Sequence, residues 1–330
     1  MPRFGSIGLD IGGTKTLLCL FNDKFQCKQS ILFKTDAGRG KTHFDRLLMN
    51  AFRNLLKKAN HMGIKVRATG VGCAGHIDYK KHALVTSPNI PFLSRYPLVQ
   101  KLHNAGRGPV FLGNDVHMGL YGEHQLGAAK GMRHVLGIFV GTGIGGAMII
   151  DGKLHLGASG CAGDIGHYMI QPFGPLGGSE RMGVLDDVAS RTAIAAAAAA
   201  YAAKQWAPNL LRMAGTDLGK IRSHVLSKAI RAGDKQIEEL IRSRGRIIGI
   251  ALSNLIDFVN PDMVVLGGGL VDDLPLLMGK EIAAGIREHS TAMALKKLRV
   301  VNTKLKEYAV AAGAAKMAWD TVNATGDPIA

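Results

Sequence analysis

A chain of 330 residues is long enough for two ordinary domains sharing a cleft, and 47% hydrophobic against 20% charged residues argues against any long disordered arm. Forty-one Lys and Arg against 25 Asp and Glu give a net charge of +16, yet the basic residues are dispersed and few aromatics lie among them. That pattern argues against a nucleic-acid stacking platform. A positive field attracts anionic ligands such as nucleotides, and a general basic bias explains it as well. No apolar run reaches the roughly 18 residues needed to cross a bilayer. Cys19, Cys27, Cys73 and Cys161 are scattered among apolar neighbours and read as reduced core thiols of a cytoplasmic protein. The opening residues, MPRFGSIGLDIGG, lead straight into a strand, so neither a signal peptide nor a leading domain is expected.

Residues 5 to 34 read as three strands joined by tight turns: Ile7 to Ile11, Thr16 to Phe21, and a third after Asn22-Asp23. The first bend, Gly12-Gly13-Thr14-Lys15, nearly resembles a phosphate-binding loop, but a threonine separates the last glycine from the lysine and no helix follows. With Asp10 before it, the bend offers an acid, two glycines, a hydroxyl and an ammonium. That set can hold Mg²⁺ through water at Asp10 and phosphate oxygens through Thr14 and Lys15. An ordinary hairpin turn with polar decoration is the plain alternative.

A helix is predicted from Thr42, with Asp45 as its capping partner and Leu48, Phe52, Leu55 and Leu56 as one apolar stripe. Val66 to Cys73 is the next strand, ending in Gly75 and a turn at Asp78. Thr86 to Pro91 is expected to be extended, because each proline pushes its predecessor out of the helical region. Pro109 to Leu112 is a buried strand that ends in Gly113-Asn114-Asp115. Asp115 there is either a general base at a strand end or half of an Asn-Asp helix cap.

The stretch 137–167, GIFVGTGIGGAMIIDGKLHLGASGCAGDIGH, reads as strand, glycine turn, strand, Asp-Gly hairpin, strand. Gly141, Gly143 and Gly146 match the dinucleotide spacing GxGxxG, but a β-branched strand follows where that fold needs a helix. The glycine turn is therefore either a phosphate cradle, with Thr142 and Gly143 at its centre, or plain turn chemistry. Downstream lie Asp164 and His167. A Pro/Gly-rich loop from Gln171 to Gly183 leads to Asp186 and Asp187, which can cap a helix from Val188. Helices are expected over 193–203, 217–231 and 234–259, and Asn260-Pro261 stops the last. Strand Met263 to Leu266 feeds Gly267-Gly268-Gly269, a bend for a planar or phosphorylated ligand or a tight strand-to-helix link. Helix Pro275 to Glu288, strand Leu298 to Asn302 and helix Ala309 to Ala318 close the chain.

The chain echoes itself: Ile7 to Gly13 precedes two strands, and so does Phe139 to Gly146. Two similar three-stranded units would bring two glycine turns to one phosphate chain.

Taken together, these motifs look like the actin-like ATPase fold and resemble the sugar kinases of the repressor, open-reading-frame, kinase (ROK) family. The match runs through Asp10 to Lys15, Gly72 to Gly75, Pro88-Asn89, Asn114-Asp115, Gly141 to Gly146, Gly157 to Gly160, Gly163 to His167, Asn260-Pro261-Asp262 and Gly267 to Gly269. The resemblance implies an α/β protein of the ribonuclease H-like, actin-like ATPase class, with a duplicated βββαβα core. Its small domain would span 1–115, with a C-terminal helix near 308–322 packing back on it, and its large domain 116–307. It further implies an ATP-dependent hexokinase, most simply a glucokinase, with Asp115 as the base toward the C6 hydroxyl. Gly75, Asn89, Asn114, Asp164, His167 and Asp186 would surround the sugar. Asp10, Gly12, Gly13, Thr14, Lys15, Thr142 and Gly143 would surround Mg²⁺ and the phosphates, and Gly267, Gly268 and Gly269 the adenosine. Fructose, mannose or an N-acetylhexosamine as substrate, and polyphosphate as donor, remain open, as does a non-catalytic sugar-sensing regulator. Relatives are commonly dimers or tetramers, so the resemblance leaves room for a homodimer, with no membrane and no specific nucleic acid expected as partner.

Three departures from the family pattern matter. Most members carry a C-x-C-G-x-x-G-C zinc loop, for which this chain has Gly177, Ser179 and Val184, so no structural zinc is expected and His167 becomes a sugar contact. The two family glutamates are Asp164 and Asp186, each one methylene shorter and reaching about 1.5 Å less far, half a hydrogen-bond length. The helix-turn-helix that the family's repressors carry ahead of the first strand is not expected here.

Overall fold

The computed structural model describes residues 3–176 and 181–325, apart from the side chains of Arg95 and Thr325. In chain order they form β1 (Arg3–Ile11), β2 (Lys15–Asn22), β3 (Cys27–Lys34), α1 (Gly40–His61), β4 (Ile64–Cys73), β5 (His76–Asp78), β6 (Ala83–Thr86), α2 (Leu98–Gly106), β7 (Val110–Asn114) and α3 (Asp115–Leu126). Next come β8 (Val135–Val140), β9 (Ile144–Ile150), β10 (Lys153–His155), α4 (Leu185–Ala189), α5 (Arg191–Ala203), α6 (Pro208–Ala214), α7 (Ser223–Arg231) and α8 (Lys235–Val259). The last are β11 (Met263–Gly267), α9 (Gly269–Asp273), α10 (Pro275–His289), α11 (Ala292–Leu295), β12 (Arg299–Asn302) and α12 (Ala309–Thr325).

Two compact units result, one from the described residues of Met1–Gly131, Leu154–Ala162 and Glu307–Ala330, the other from Met132–Lys153 and Gly163–Lys306. The first is built on a sheet ordered β3-β2-β1-β4-β7, and the second on β9-β8-β11-β12 of a sheet whose edge strand is β10. In both, the leading strand pairs antiparallel with its successor and parallel with a later strand, β1 with β2 and β4, β8 with β9 and β11. The internal echo of the sequence is thus an echo of topology.

In the first unit one sheet face packs on α1 through Phe44, Leu48, Phe52 and Leu55. The other face carries α12 in unusually close contact. A Cβ on Gly8 of β1 would lie 1.8 Å from the Ala311 carbonyl oxygen, and one on Gly70 of β4 would lie 1.9 Å from that of Ala314. Only glycine lets helix backbone rest on strand backbone at this distance. Helix α3 meets α12 in the same way, since a Cβ on Gly313 would lie 1.8 Å from the Met118 carbonyl. A division at 115/116 separates α3 from the helix it packs on; in the structure both belong to the first unit. The second unit's core joins Leu136, Ile138 and Val140 of β8 to α5, α8 and α10.

Several local expectations change. Helix α1 starts at Gly40, so Thr42 and Asp45 lie inside it, and Asp45 instead accepts hydrogen bonds from Tyr96 and Lys101. Residues 87–90 close a turn, Ile90 N–H to the Ser87 carbonyl at 3.2 Å, and a 3₁₀ turn follows at Pro91–Arg95. The short hairpin β5–β6 and the helices α6 and α11 carry no strong periodicity. Helix α7 begins only at Ser223, because Asp217 turns the chain by accepting from Gly219 N–H. Helix α4 begins at Leu185, which places Asp186 and Asp187 in its first turn rather than ahead of it. Only Cys19 and Cys73 are core thiols: Cys27 is exposed, and half-buried Cys161 has its Sγ 2.6 Å from His76 Nε2.

Candidate functional site

In the first unit the candidate residues gather at the C-terminal ends of β1, β4 and β7. The β1–β2 turn is closed by Gly12 N–H donating to the Lys15 carbonyl at 3.1 Å. Buried Thr35, which sequence reasoning missed, holds it from below. Its hydroxyl donates to the Gly12 carbonyl at 2.6 Å and lies 2.9 Å from the Thr16 hydroxyl. Thr14 and Lys15 are left exposed, Lys15 with Glu307 of the α12 entry 3.7 Å away. Asn89 joins this turn, because a Cβ on Gly13 would lie 2.9 Å from its own Cβ.

Asp10, the penultimate residue of the central strand β1, lies part-buried near Asp115. Burial and then the Asp115 carboxylate raise its pKa to about 7, with Lys15 opposing. Two carboxylates in a partly desolvated place repel one another, and an added cation would relieve that repulsion. The set of hard oxygens therefore fits Mg²⁺ held mainly through water, as that ion prefers. Among the described residues no group of three or more His, Cys, Asp or Glu could hold a metal by itself.

Asp115 opens α3, and Asn114 is the cap. The Asn114 side-chain oxygen accepts from Val116 N–H and His117 N–H at 2.9 and 3.1 Å, while its Nδ2 donates to the Gly75 carbonyl at 3.1 Å. Both readings of Asn-Asp meet here: one residue caps, and the next is a carboxylate at a strand end. The cap is itself anchored. Tyr79 hydroxyl lies 2.7 Å from His117 Nδ1 and accepts from Asn114 N–H at 3.1 Å. His117 Nε2 lies 3.2 Å from the Ala162 carbonyl, which accepts and so fixes the ring with Nδ1 as the acceptor of the Tyr79 hydroxyl. Burial pushes the Tyr79 hydroxyl up to about 12. Neither Tyr79 nor His117 carries a motif signal; the position of His117, two residues beyond Asp115, is the only hint.

In the second unit the β8–β9 turn is closed by Gly141 N–H donating to the Gly143 carbonyl at 2.8 Å. The start of α5 grips it: Arg191 N–H donates to the Gly141 carbonyl, and the Thr192 hydroxyl donates to the Thr142 carbonyl at 2.7 Å. Arg191 Nη2 donates to the Thr142 hydroxyl at 3.2 Å, and burial together with nearby Arg222 lowers the Arg191 pKa. Arg191, which sequence reading missed because it only opens an alanine-rich helix, thus brings a guanidinium to the glycine turn, with Arg222 near enough to act on it. Gly268, at φ 90°, backs onto the same place, with a Cβ clashing at 2.6 Å against Val140 N. The glycine triplet at 267–269 thus sits against the glycine turn.

Asp164, His167 and Asp186 come together in this unit. His167 Nε2 and Asp164 Oδ2 are 3.7 Å apart, and both groups act on the Asp186 carboxyl. Asp186 accepts a hydrogen bond from Ile144 N–H, the first residue of β9. Burial raises the Asp186 pKa, with the Ile144 bond opposing. Of the zinc-loop positions, Gly177 and Ser179 lie outside the described residues, and Val184 is buried ahead of α4.

The family model that matches, over residues 6–321, is described as "ROK family". The chain belongs to the ROK family. Among ROK relatives, a glucokinase of Thermotoga maritima is 29% identical over 84% of this chain and 86% of its own length. An N-acetylgalactosamine kinase of Shewanella sp. is 27% identical over 93% of each. A ROK glucokinase of Streptomyces griseus, solved with glucose and AMPPNP, superposes with a TM-score of 0.80 at 28% identity, covering 96% of this chain and 99% of that one. The duplicated sheets are those of the actin-like ATPase fold, which ROK kinases share. Among the described residues no helix is long and apolar enough to cross a membrane.

Proposed function

We propose that this ROK protein is a cytoplasmic ATP-dependent sugar kinase that phosphorylates a hexose, most simply glucose, at its C6 hydroxyl. The observation that carries the reading is the pair of carboxylates Asp10 and Asp115 at the ends of β1 and β7, beside a turn that leaves Thr14 and Lys15 exposed. Phosphoryl transfer needs little covalent chemistry from the protein, so positioning and charge neutralisation carry most of it. Asp115 accepts the proton of the C6 hydroxyl as that oxygen attacks the γ-phosphorus. Gly75, Asn89, Asn114, Asp164, His167 and Asp186 orient the sugar ring. Lys15, Thr14, Gly12, Gly13, Thr142 and Gly143 hold the phosphates, and Gly267 to Gly269 lie along the adenosine. Asp10 would hold Mg²⁺ through water, and the bound ion supplies charge neutralisation on the phosphate oxygens.

The glucokinase names among the relatives support glucose, and the N-acetylgalactosamine kinase supports an N-acetylhexosamine as the second reading. Asp164 and Asp186, shorter than the family glutamates, are where the choice is made. An ADP-release assay across glucose, fructose, mannose and N-acetylhexosamines, with ATP or polyphosphate as donor, ranks these. Glucose with ATP is expected to give the highest kcat/KM. No turnover with any sugar, alongside calorimetric sugar binding, would instead mark a sugar-sensing regulator.

A further inference from the structure

The pairing of β2 with β3 contains an irregularity with chemical consequences. Cys19 pairs with Ser30 and Leu20 with Gln29, but Phe21 pairs with Cys27, so Lys28 has no partner. Side chains alternate between faces along a strand, and directly opposed residues share a face. In regular pairing Cys27 would lie on the face of Leu20. The one-residue bulge moves it to the face of Phe21 and Cys19. Cys19 and Cys27 are thus neighbours on one face of the strand pair, Cys19 fully buried and Cys27 exposed.

We propose that Cys27 and Cys19 form a reversible dithiol site, in which the exposed Cys27 sulfur takes a hydroperoxide and buried Cys19 resolves the product into a disulfide. A reactive thiol needs access, thiolate character and a neighbour that can trap its oxidised form, and this pair supplies all three. The neighbouring Cys19 thiol lowers the Cys27 thiol to about 7, while Cys27 and burial push Cys19 up, so Cys27 is the one that ionises and Cys19 keeps its proton. In the first step the Cys27 thiolate attacks hydrogen peroxide; an S–O bond forms, the O–O bond breaks, and hydroxide leaves to take a proton from solvent. In the second step Cys19 sulfur attacks Cys27 sulfur; the S–S bond forms, the S–OH bond breaks, and hydroxide leaves with the Cys19 proton as water. Two thiols lose two electrons, and the peroxide gains them. Neither residue belongs to the phosphate or sugar set, so the proposal stands apart from the kinase reading.

The test treats the folded full-length protein with hydrogen peroxide and maps its peptides by non-reducing mass spectrometry. A Cys19–Cys27 cross-linked peptide is expected, reversed by dithiothreitol and absent from Cys27→Ser. In Cys19→Ser, a Cys27 sulfenic acid trapped by dimedone is expected to persist. Alkylation by iodoacetamide at pH 7 should modify Cys27 about tenfold faster than an ordinary exposed thiol in a short unstructured peptide, as a half-ionised thiol requires. Cys27→Ser replaces an exposed atom, so that control remains available even where Cys19→Ser fails to fold. A wild type in which Cys27 reacts at the peptide rate, or stays as sulfenic acid with no cross-link, overturns the proposal.

Discussion

The two glycine turns begin alike and are held differently. Each follows the leading strand of its sheet and precedes that strand's antiparallel partner. The first, at Gly12 to Lys15, is clamped by the hydroxyl of Thr35 beyond β3 and has carboxylates for neighbours, Asp10 and Asp115. The second, at Gly141 to Gly143, is clamped by the start of α5 and has the Arg191 guanidinium for a neighbour. Duplication supplied the same bend twice, and its surroundings gave the copies different charged neighbours: the first, more acidic copy has the Asp10–Asp115 pair beside its own Lys15, and the second has both the Arg191 guanidinium and the Asp186 carboxylate. A carboxylate pair suits a metal and a base, and a guanidinium suits phosphate. The second turn is also tied to the cluster of Asp164, His167 and Asp186, because Asp186 accepts from Ile144 N–H directly after it.

The comparison breaks most sharply at the acidic copy. Asp115→Asn preserves the cap and helix start but cannot take a proton, so kcat is expected to fall roughly a thousandfold with sugar affinity by calorimetry within about twofold. Near-normal turnover would remove Asp115 from its role.

Asp10→Asn tests charge in two ways. Turnover should drop by roughly a hundredfold or more. Stability should move the other way. A folded pKa of about 7 against 3.8 unfolded means that the folded state retains a proton which the unfolded chain gives up. Wild-type stability without nucleotide is therefore lost as pH rises from about 4 to about 7. The variant, free of that charge, should melt a few degrees above wild type at pH 8 and level with it near pH 4. Equal melting points at pH 8 would mean that the carboxyl is not penalised.

Gly143→Ala and Gly12→Ala set one turn against the other. A Cβ at 143 would sit 2.8 Å from Asp186 Oδ1, whereas one at 12 has nothing closer than the Lys15 carbonyl at 3.3 Å. The first should raise KM for sugar as well as for ATP, by about tenfold, while the second changes KM for ATP alone and less. Equal effects on both substrates in both variants would show that the Asp186 tie carries no function.

The smallest effect belongs to the anchor of the cap. Tyr79→Phe removes the hydroxyl shared by His117 and Asn114, a loss of about 1 kcal/mol. A severalfold drop in kcat with KM unchanged is expected, because the carboxylate of Asp115 is less well placed. A fall in melting temperature without any change in kcat would make the network purely structural.

Much of this was written in the chain. Val135 to Val140, the Asp151-Gly152 turn and the strand after it follow from alternation and turn chemistry, which are local. The repeated Asp10-to-Gly13 and Gly141-to-Gly146 pattern announced the duplication, and the order of motifs announced the family. Tertiary structure decided what local rules cannot reach. Thr35, Tyr79, His117 and Arg191 matter through hydrogen bonds to residues 23 to 49 positions away, and no periodicity encodes such a partner. The Thr42–Asp45 cap failed because Asp45 gains more from Tyr96 and Lys101 than from its own backbone. Cys27 looked like a core thiol until a single bulge turned it to Cys19 at an exposed strand end. The sequence alone determined which turns could cradle phosphate; only packing decided the charge around each of them, because charge at a site is set by side chains gathered from distant parts of the chain.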